Sequence, residues 1–338
     1  MIINDLDGYY IVFDTKNWNT ELDTLVNNLH DSISDTFIHE YDYDTSAILS
    51  LLKHTFTTDV YILNWIENVV YWKFGLLRYF LVKILLQIMV WRGVKIIWFF
   101  HNITPHQGEN NYTKKIYKIL MRHSALIVAL SKDGYRYLES VNIQGKIMYS
   151  PHPFKKELLA EISNFETKKY DILIWGAISK YKGVVEFLQY LKAKALAEDF
   201  KILIVGRCKD SSYTLKLKSF LSKNIEYRNE YIDDEELKVL ISQSKYVLFP
   251  YLKGSVSSSG ALMDSIEYGA TVIGPNFGAF KDMKEENVTF VYDDYSGIVE
   301  IIKSTKSIDR DKARKFVEEN TWDKFGDRLS DAIVNLYK

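Results

Sequence analysis

The stretch from Pro250 to Gly269 reads Pro-Tyr-Leu-Lys-Gly-Ser-Val-Ser-Ser-Ser-Gly-Ala-Leu-Met-Asp-Ser-Ile-Glu-Tyr-Gly. It follows an apolar run suited to a strand and leads into a helical pattern. Small residues at Ser257, Ser258, Ser259 and Gly260 let backbone N–H groups come close to a ligand. A helix start adds unsatisfied donors and roughly half a positive charge. Such a place suits an anion, and a diphosphate in particular. Asp264 falls about one turn into the helix, where a carboxylate can accept ribose hydroxyls. On spacing alone, an ordinary Ser-rich helix start with a solvated Asp accounts for the stretch at least as well.

Other chemistries find less support. Cys208 is the single cysteine, so neither an intrachain disulfide nor a Cys pair is available. The seven histidines show no metal spacing such as His-Glu-x-x-His. Asp5-Leu6-Asp7 lies ahead of the first expected strand, the wrong context for a metal-binding Asp pair. The phosphate-loop pattern Gly-x-x-x-x-Gly-Lys-Ser/Thr does not occur. Lys+Arg 43 against Asp+Glu 44 leaves no basic excess, which argues against a general nucleic-acid binder. No secretory leader is legible at Met1-Ile2-Ile3-Asn4-Asp5, and a reducing cytoplasm is the expected compartment. Asn111-Tyr112-Thr113 matches a glycosylation sequon that such a compartment leaves unused.

The elements that must position these residues alternate between strand and helix. Tyr9–Phe13, Asp59–Trp65, Val94–Phe100, Ala125–Ser131 and Met148–Pro153 mark the first half. The run Val94–Phe100 is continuously apolar, as a parallel strand buried on both faces should be. A helix is expected over about Asn111–Arg122, and Ser131 is placed to cap another. The second half restarts the alternation with Asp171–Gly176, Phe200–Gly206, Asn224–Tyr227, Tyr246–Pro250 and Ala270–Gly274. Asp233 to Leu237 opens a helix with acids at its positive end. Two such runs within 338 residues, broken near Pro151–Lys169, predict two α/β domains. Phe74–Trp91 is strongly apolar but interrupted by Arg78, Lys83 and Gln87. It is expected to be an amphipathic helix, packed on a sheet or partly inserted at a membrane surface, and not to span one.

The second half resembles the donor domain of family 4 retaining glycosyltransferases, which have the GT-B fold. The residues that carry the resemblance are Gly176-Ala177-Ile178-Ser179-Lys180-Tyr181-Lys182-Gly183, Ile204-Val205-Gly206, Tyr246 to Pro250, Ser259 to Asp264 and Tyr268 to Gly274. In the first half, Phe100-His101-Asn102-Ile103-Thr104-Pro105-His106 is similar to a His-Asn-x-x-Pro-His run of polysaccharide-assembly members. Thr321-Trp322-Asp323 resembles the start of the family's C-terminal helix. The resemblance implies two Rossmann-like domains with parallel sheets facing a central cleft. Residues 1–152 would bind the acceptor, joined by a helix over about 321–338, and residues 153–320 the nucleotide-sugar donor.

It also implies an activity. A hexosyl unit would pass from a nucleoside diphosphate sugar, UDP or GDP most readily, to a glycan or lipid-linked glycan. Configuration would be retained, with no cofactor and no metal. Independently of the resemblance, the compartment expected is the cytoplasm, and partial insertion of Phe74–Trp91 would place the chain at the membrane's inner face. Lys182 would neutralise the leaving diphosphate, and His101 would contact the donor sugar. Gly176, Arg207, Ser257, Ser258, Ser259, Gly260 and Asp264 would form the donor site. Glu67, Asn102 and His106 would serve the acceptor. Each also has an ordinary reading: a surface lysine before a turn glycine, a satisfied structural histidine, a loop carboxylate. Two positions depart from the pattern. The family often has two glutamates eight residues apart, and here Asp264 stands for the second and Val256 for the first. An Arg often follows the glycine matched by Gly176, where this chain has Ala177. These departures motivate the rival reading of a non-catalytic scaffold or activator of another transferase. A periplasmic-type sugar-binding protein fits less well, because it would need a leader and has no use for Lys182-Gly183.

Overall fold

The computed structural model describes residues 10–13, 38–41, 47–64, 66–71, 74–103, 110–141, 143–155, 168–252 and 259–338. They divide into two compact units, residues 1–153 with 320–338, and residues 154–319.

Unit 1 is built on a six-stranded, all-parallel sheet. Its strands are β1 (Tyr10–Phe13), β2 (Ile38–Tyr41), β3 (Val60–Leu63), β4 (Lys95–Phe100), β5 (Leu126–Ala129) and β6 (Lys146–Tyr149), in the order β2-β1-β3-β4-β5-β6. The helices are α1 (Ala47–His54), α2 (Gly75–Trp91), α3 (Asn111–His123) and α4 (Lys132–Ser140). Alternation along the strands divides the core in two. Tyr61, Leu63, Trp98 and Phe100 pack with residues of these four helices. Val60, Ile62, Ile97 and Phe99 point the other way, onto the last helix of the chain, α12 (Trp322–Val334), through Trp322, Phe325, Leu329 and Ile333. Caps set where the helices begin. Asn110 accepts from the Tyr112 and Thr113 amides at α3, and Ser131 accepts from the Gly134 amide at α4.

Unit 2 has a second parallel sheet: β7 (Tyr170–Trp175), β8 (Ile202–Val205), β9 (Ile225–Arg228), β10 (Ser244–Leu248), β11 (Val272–Pro275) and β12 (Thr289–Tyr292). The order is β12-β11-β10-β7-β8-β9. The chain runs outward from β7 through β9, returns to the far side of β7 at β10, and runs outward again. That reversal makes the gap between β7 and β10 a topological switch point, where open α/β sheets bind ligands at the strands' carboxyl ends. The helices are α5 (Val184–Ala193), α6 (Ser211–Lys218), α7 (Asp234–Ser242), α8 (Gly260–Glu267), α9 (Gly278–Glu285), α10 (Tyr295–Lys303) and α11 (Arg310–Glu319). Asp233 caps α7 by accepting from the Glu236 amide, with Asp234, Glu235 and Glu236 in its first turn.

Helix α2 differs from the amphipathic helix expected. Tyr79, Val82, Leu85, Leu86 and Met89 do pack inward. Yet Leu76, Leu77, Phe80, Leu81 and Ile84 are exposed beside Lys83 and Gln87, so the outer face is apolar as well. Among the described residues no helix is long and apolar enough to cross a membrane.

Candidate functional site

In unit 2 the carboxyl end of β7 turns through Gly176, whose φ of 92° is left-handed territory. The next turn, a short 3-10 helix over Lys180–Lys182, ends at Gly183 with φ 65°. A Cβ at Gly183 would collide with the Pro250 carbonyl oxygen, so this loop closes onto the end of β10 only because the residue is glycine. A Cβ at Gly206, after β8, would likewise strike the Gly176 carbonyl. Two adjacent strand ends thus pack backbone to backbone.

Lys182 is brought back over Gly176 by this turn. Its Nζ lies 3.3 Å from where a Gly176 Cβ would stand, and 5.2 Å from the centre of the Tyr251 ring. The side chain is 8% exposed, an unusual depth for an ammonium. Tyr251 is the residue that sequence reasoning missed. Its ring holds Lys182 on one side, and its hydroxyl lies 3.4 Å from Ser259 Oγ on the other. It therefore joins the buried cation to the start of α8. The only signal in the sequence was its place directly after Pro250 at a strand end.

Helix α8 begins at Gly260 after Ser259, and the Ser259 side chain makes no capping hydrogen bond to it. Among the described residues a Cβ at Gly260 would meet nothing within 4 Å, so none of them requires the glycine for packing. The helix itself is fixed from behind. The Trp175 indole donates to Ser265 Oγ at 2.9 Å, and Ser265 donates to the Ala261 carbonyl at 2.7 Å. Asp264 is half-buried, with Oδ1 3.6 Å from Lys155 Nζ. Lys155 also reaches Asp234 at 3.6 Å, and its backbone amide donates to Glu267 at 3.1 Å. Burial works against the Lys155 charge, but the carboxylates of Asp264, Asp234 and Glu267 outweigh it and raise its pKa. Lys155, within the break expected near Pro151–Lys169, braces α8. Arg207 stands apart from this group: it follows Gly206 and is exposed, and its carbonyl accepts from the Ile178 amide at 2.8 Å. Ser257, Ser258 and Val256 lie outside the described residues, as does His106.

In unit 1 the carboxyl ends of neighbouring strands β3 and β4 bring three expected residues together. His101, just past β4, lies with Nε2 3.1 Å from Asn64 Oδ1, just past β3. An amide oxygen only accepts, so the contact is a hydrogen bond in the tautomer that protonates Nε2. Asn102 is buried beside it, and its carbonyl accepts from the Tyr117 hydroxyl at 3.1 Å. Glu67 is in a 3-10 helix over Ile66–Tyr71 and is 2% exposed. Burial pushes its carboxyl up to about 7, against a lowering backbone hydrogen bond and the nearby Trp98 indole. The indole N–H nevertheless closes no hydrogen bond of ordinary geometry. Glu67 Oε2, Asn64 Nδ2 and Trp98 Nε1 are three buried polar atoms without a hydrogen-bond partner among the described residues. Buried polar atoms are rarely left so, and each costs about 1–3 kcal/mol unpaired.

No group of three or more His, Cys, Asp or Glu able to hold a metal ion occurs among the described residues. A family model described as glycosyl transferases group 1 matches residues 155–333. No curated protein matches the sequence. Solved structures do resemble it over nearly their whole length. HepE of Anabaena, in complex with UDP and glucose, is 10% identical with TM-score 0.69, over 97% of this chain and 100% of that one. A glycosyltransferase of Rickettsia africae is 14% identical with TM-score 0.64, over 98% and 99%. An α,α-trehalose-phosphate synthase (UDP-forming) of Burkholderia xenovorans, in complex with glucose-6-phosphate, is 11% identical with TM-score 0.62, over 98% and 100%. At these identities the likeness concerns the fold, which is GT-B.

Proposed function

The chain belongs to the group 1 glycosyl transferases, and on that premise we propose that it moves a hexosyl unit from a UDP- or GDP-sugar to a glycan or lipid-linked glycan. The observation that carries this reading is the switch point of unit 2. There a buried lysine, a left-handed glycine and a helix start without a side-chain cap share one strand edge. Backbone donors and one fixed cation are what a leaving nucleoside diphosphate needs. UDP in the fold relative HepE agrees with that chemistry.

In this reading unit 2 holds the nucleotide. Ser259, Gly260 and the preceding Ser257 and Ser258 face the diphosphate, Asp264 accepts the ribose hydroxyls, and Lys182 neutralises the charge that develops as the bond breaks. Arg207 adds positive potential from the neighbouring loop. Unit 1 holds the acceptor. Glu67, Asn102 and His106 meet its hydroxyls, and His101 contacts the sugar being transferred. The acceptor oxygen forms its bond to the anomeric carbon on the face from which the diphosphate leaves. The bond from that carbon to the β-phosphate oxygen breaks, and the acceptor's proton passes to that oxygen. Configuration is retained, and Lys182 with the helix start supplies the charge neutralisation without a metal. The work is done in the cytoplasm against a membrane-borne acceptor.

A second reading, a non-catalytic scaffold, is favoured by Ala177 and Val256, which stand where relatives often carry charged groups. One experiment separates the two. The purified protein is titrated with UDP, GDP and their sugars while its melting is followed, with and without chelator. A ligand at about 100 times its Kd adds about 2.7 kcal/mol. Stabilisation by one nucleotide, with turnover of its sugar, supports the transferase. Binding with no turnover, or no stabilisation by any nucleotide in a folded sample, supports the scaffold.

A further inference from the structure

The outer surface of unit 1 has a chemistry that sugar transfer does not use. Between residues 68 and 132 the chain carries ten Lys and Arg and one acid, Glu109, a local charge of +9 in a protein whose net charge is −1. Helix α2 presents Leu76, Leu77, Phe80, Leu81 and Ile84 to solvent, and Trp91 at its end is 86% exposed. Helix α3 packs beside it, with the rings of Tyr79 and Tyr112 5.2 Å apart. On α3, Lys114, Lys118 and Arg122 recur every four residues and so form one stripe. That stripe lines a groove of about 660 Å³ with an apolar floor of Ile103, Tyr117, Met121 and Tyr137. Among the described residues the groove has no acidic lining.

We infer that this surface seats the protein on an anionic lipid bilayer, with the outer face of α2 in the acyl boundary and the α3 stripe on lipid phosphates. An exposed apolar helix without a spanning length lies in the interface plane, and flanking Lys and Arg add attraction to anionic headgroups. Trp91 and Tyr112 have the amphipathic rings that favour that depth. A second copy is a poor occupant. A two-fold dimer would set this patch against itself, basic stripe near basic stripe. The inference deepens the membrane-side placement proposed above but rests on its own residues, none of which belongs to the donor site.

The test is flotation of the full chain with vesicles of 30% phosphatidylglycerol in phosphatidylcholine, and of phosphatidylcholine alone, at low and high salt. Binding to the anionic vesicles only, weakened by salt, is expected. Each basic residue near such a surface contributes about 1 kcal/mol, or about fivefold. Lys114→Glu with Lys118→Glu should therefore lower the partition constant by at least about 25-fold. Leu77→Ser with Phe80→Ser and Ile84→Ser should lower it at any salt. Nucleotide-induced stabilisation, measured on the same samples, reports folding and keeps the donor reading separate. Failure of the folded protein to float at low salt overturns the inference. So does flotation that neither set of changes alters. A dimer in solution that Phe80→Ser dissociates, without lipid binding, assigns the face to a second copy and also overturns it.

Discussion

The two strand edges that carry the candidate residues solve opposite problems. In unit 2 the edge is made of backbone and charge: glycines whose carbonyl neighbours leave no room for a side chain, a buried ammonium, a helix start without a side-chain cap. In unit 1 it is made of side-chain dipoles: a histidine tied to an amide, and a carboxyl buried deeply enough to titrate near neutrality. Fixed charge suits a group that is always anionic, such as a diphosphate. Neutral donors and acceptors left unpaired suit hydroxyls, which can complete them in either direction. On the reading proposed above, the difference teaches that one chain can assign its two ligands by the kind of polarity it buries.

The sharpest way to break this comparison is Lys182→Ala. Removing a fixed group that stabilises developing charge costs about 10²–10³ in kcat. Turnover of a donor sugar within tenfold of wild type, in a folded variant, would place the essential charge elsewhere. Next in size is Glu67→Gln. The native carboxyl, raised to about 7 from 4.5, keeps a proton that the unfolded chain has lost. Wild-type stability therefore falls as pH climbs from about 4.5 to about 7, and levels off above. The glutamine variant lacks that fall, so it should gain on the order of 3 kcal/mol relative to wild type across the window. Urea unfolding at pH 4.5 and pH 8 measures it, and parallel curves for the two proteins contradict a buried, proton-holding Glu67.

Smaller effects separate glycines that serve packing from one that serves a ligand. Gly183→Ala puts a side chain at left-handed φ and against the Pro250 carbonyl, and should cost about 1–3 kcal/mol of stability. Gly260→Ala meets nothing among the described residues and should change stability by no more than about 0.5 kcal/mol. It should still weaken nucleotide binding, because the new methyl stands at the helix start proposed to face the diphosphate. Calorimetry on both variants decides: equal destabilisation, or intact nucleotide affinity for Gly260→Ala, removes the distinction.

Much of this architecture was legible. Buried parallel strands announce themselves as apolar runs, and Val94–Phe100 fell within one residue of β4. The helix start after Ser131 was marked by its cap, and the one at Asp233 by its run of acids. Strand β2, Ile38–Tyr41, was not seen. It is four residues long with His39 and Glu40 at its centre, too short and too polar to stand out. The outer face of α2 was misread because periodicity reports which positions are polar, while exposure depends on which neighbours arrive to cover the rest. The same limit hid Tyr251 and Lys155 from the candidate site. Both act through space, across loops that no spacing rule connects, whereas Gly176 and Lys182 stand six residues apart in one turn.

The return of α12 to the first sheet has a consequence for the order in which the protein is made. Val60, Ile62, Ile97 and Phe99 are translated before unit 2, yet the residues that cover them, Trp322, Phe325, Leu329 and Ile333, are translated after it. Unit 2, continuous from residue 154 to 319, can complete its fold while unit 1 still waits with one face bare. A premature stop before Trp322 would thus spare the later-made half and leave the earlier-made half adhesive, handing quality control a misfolded amino-terminal half attached to a sound partner.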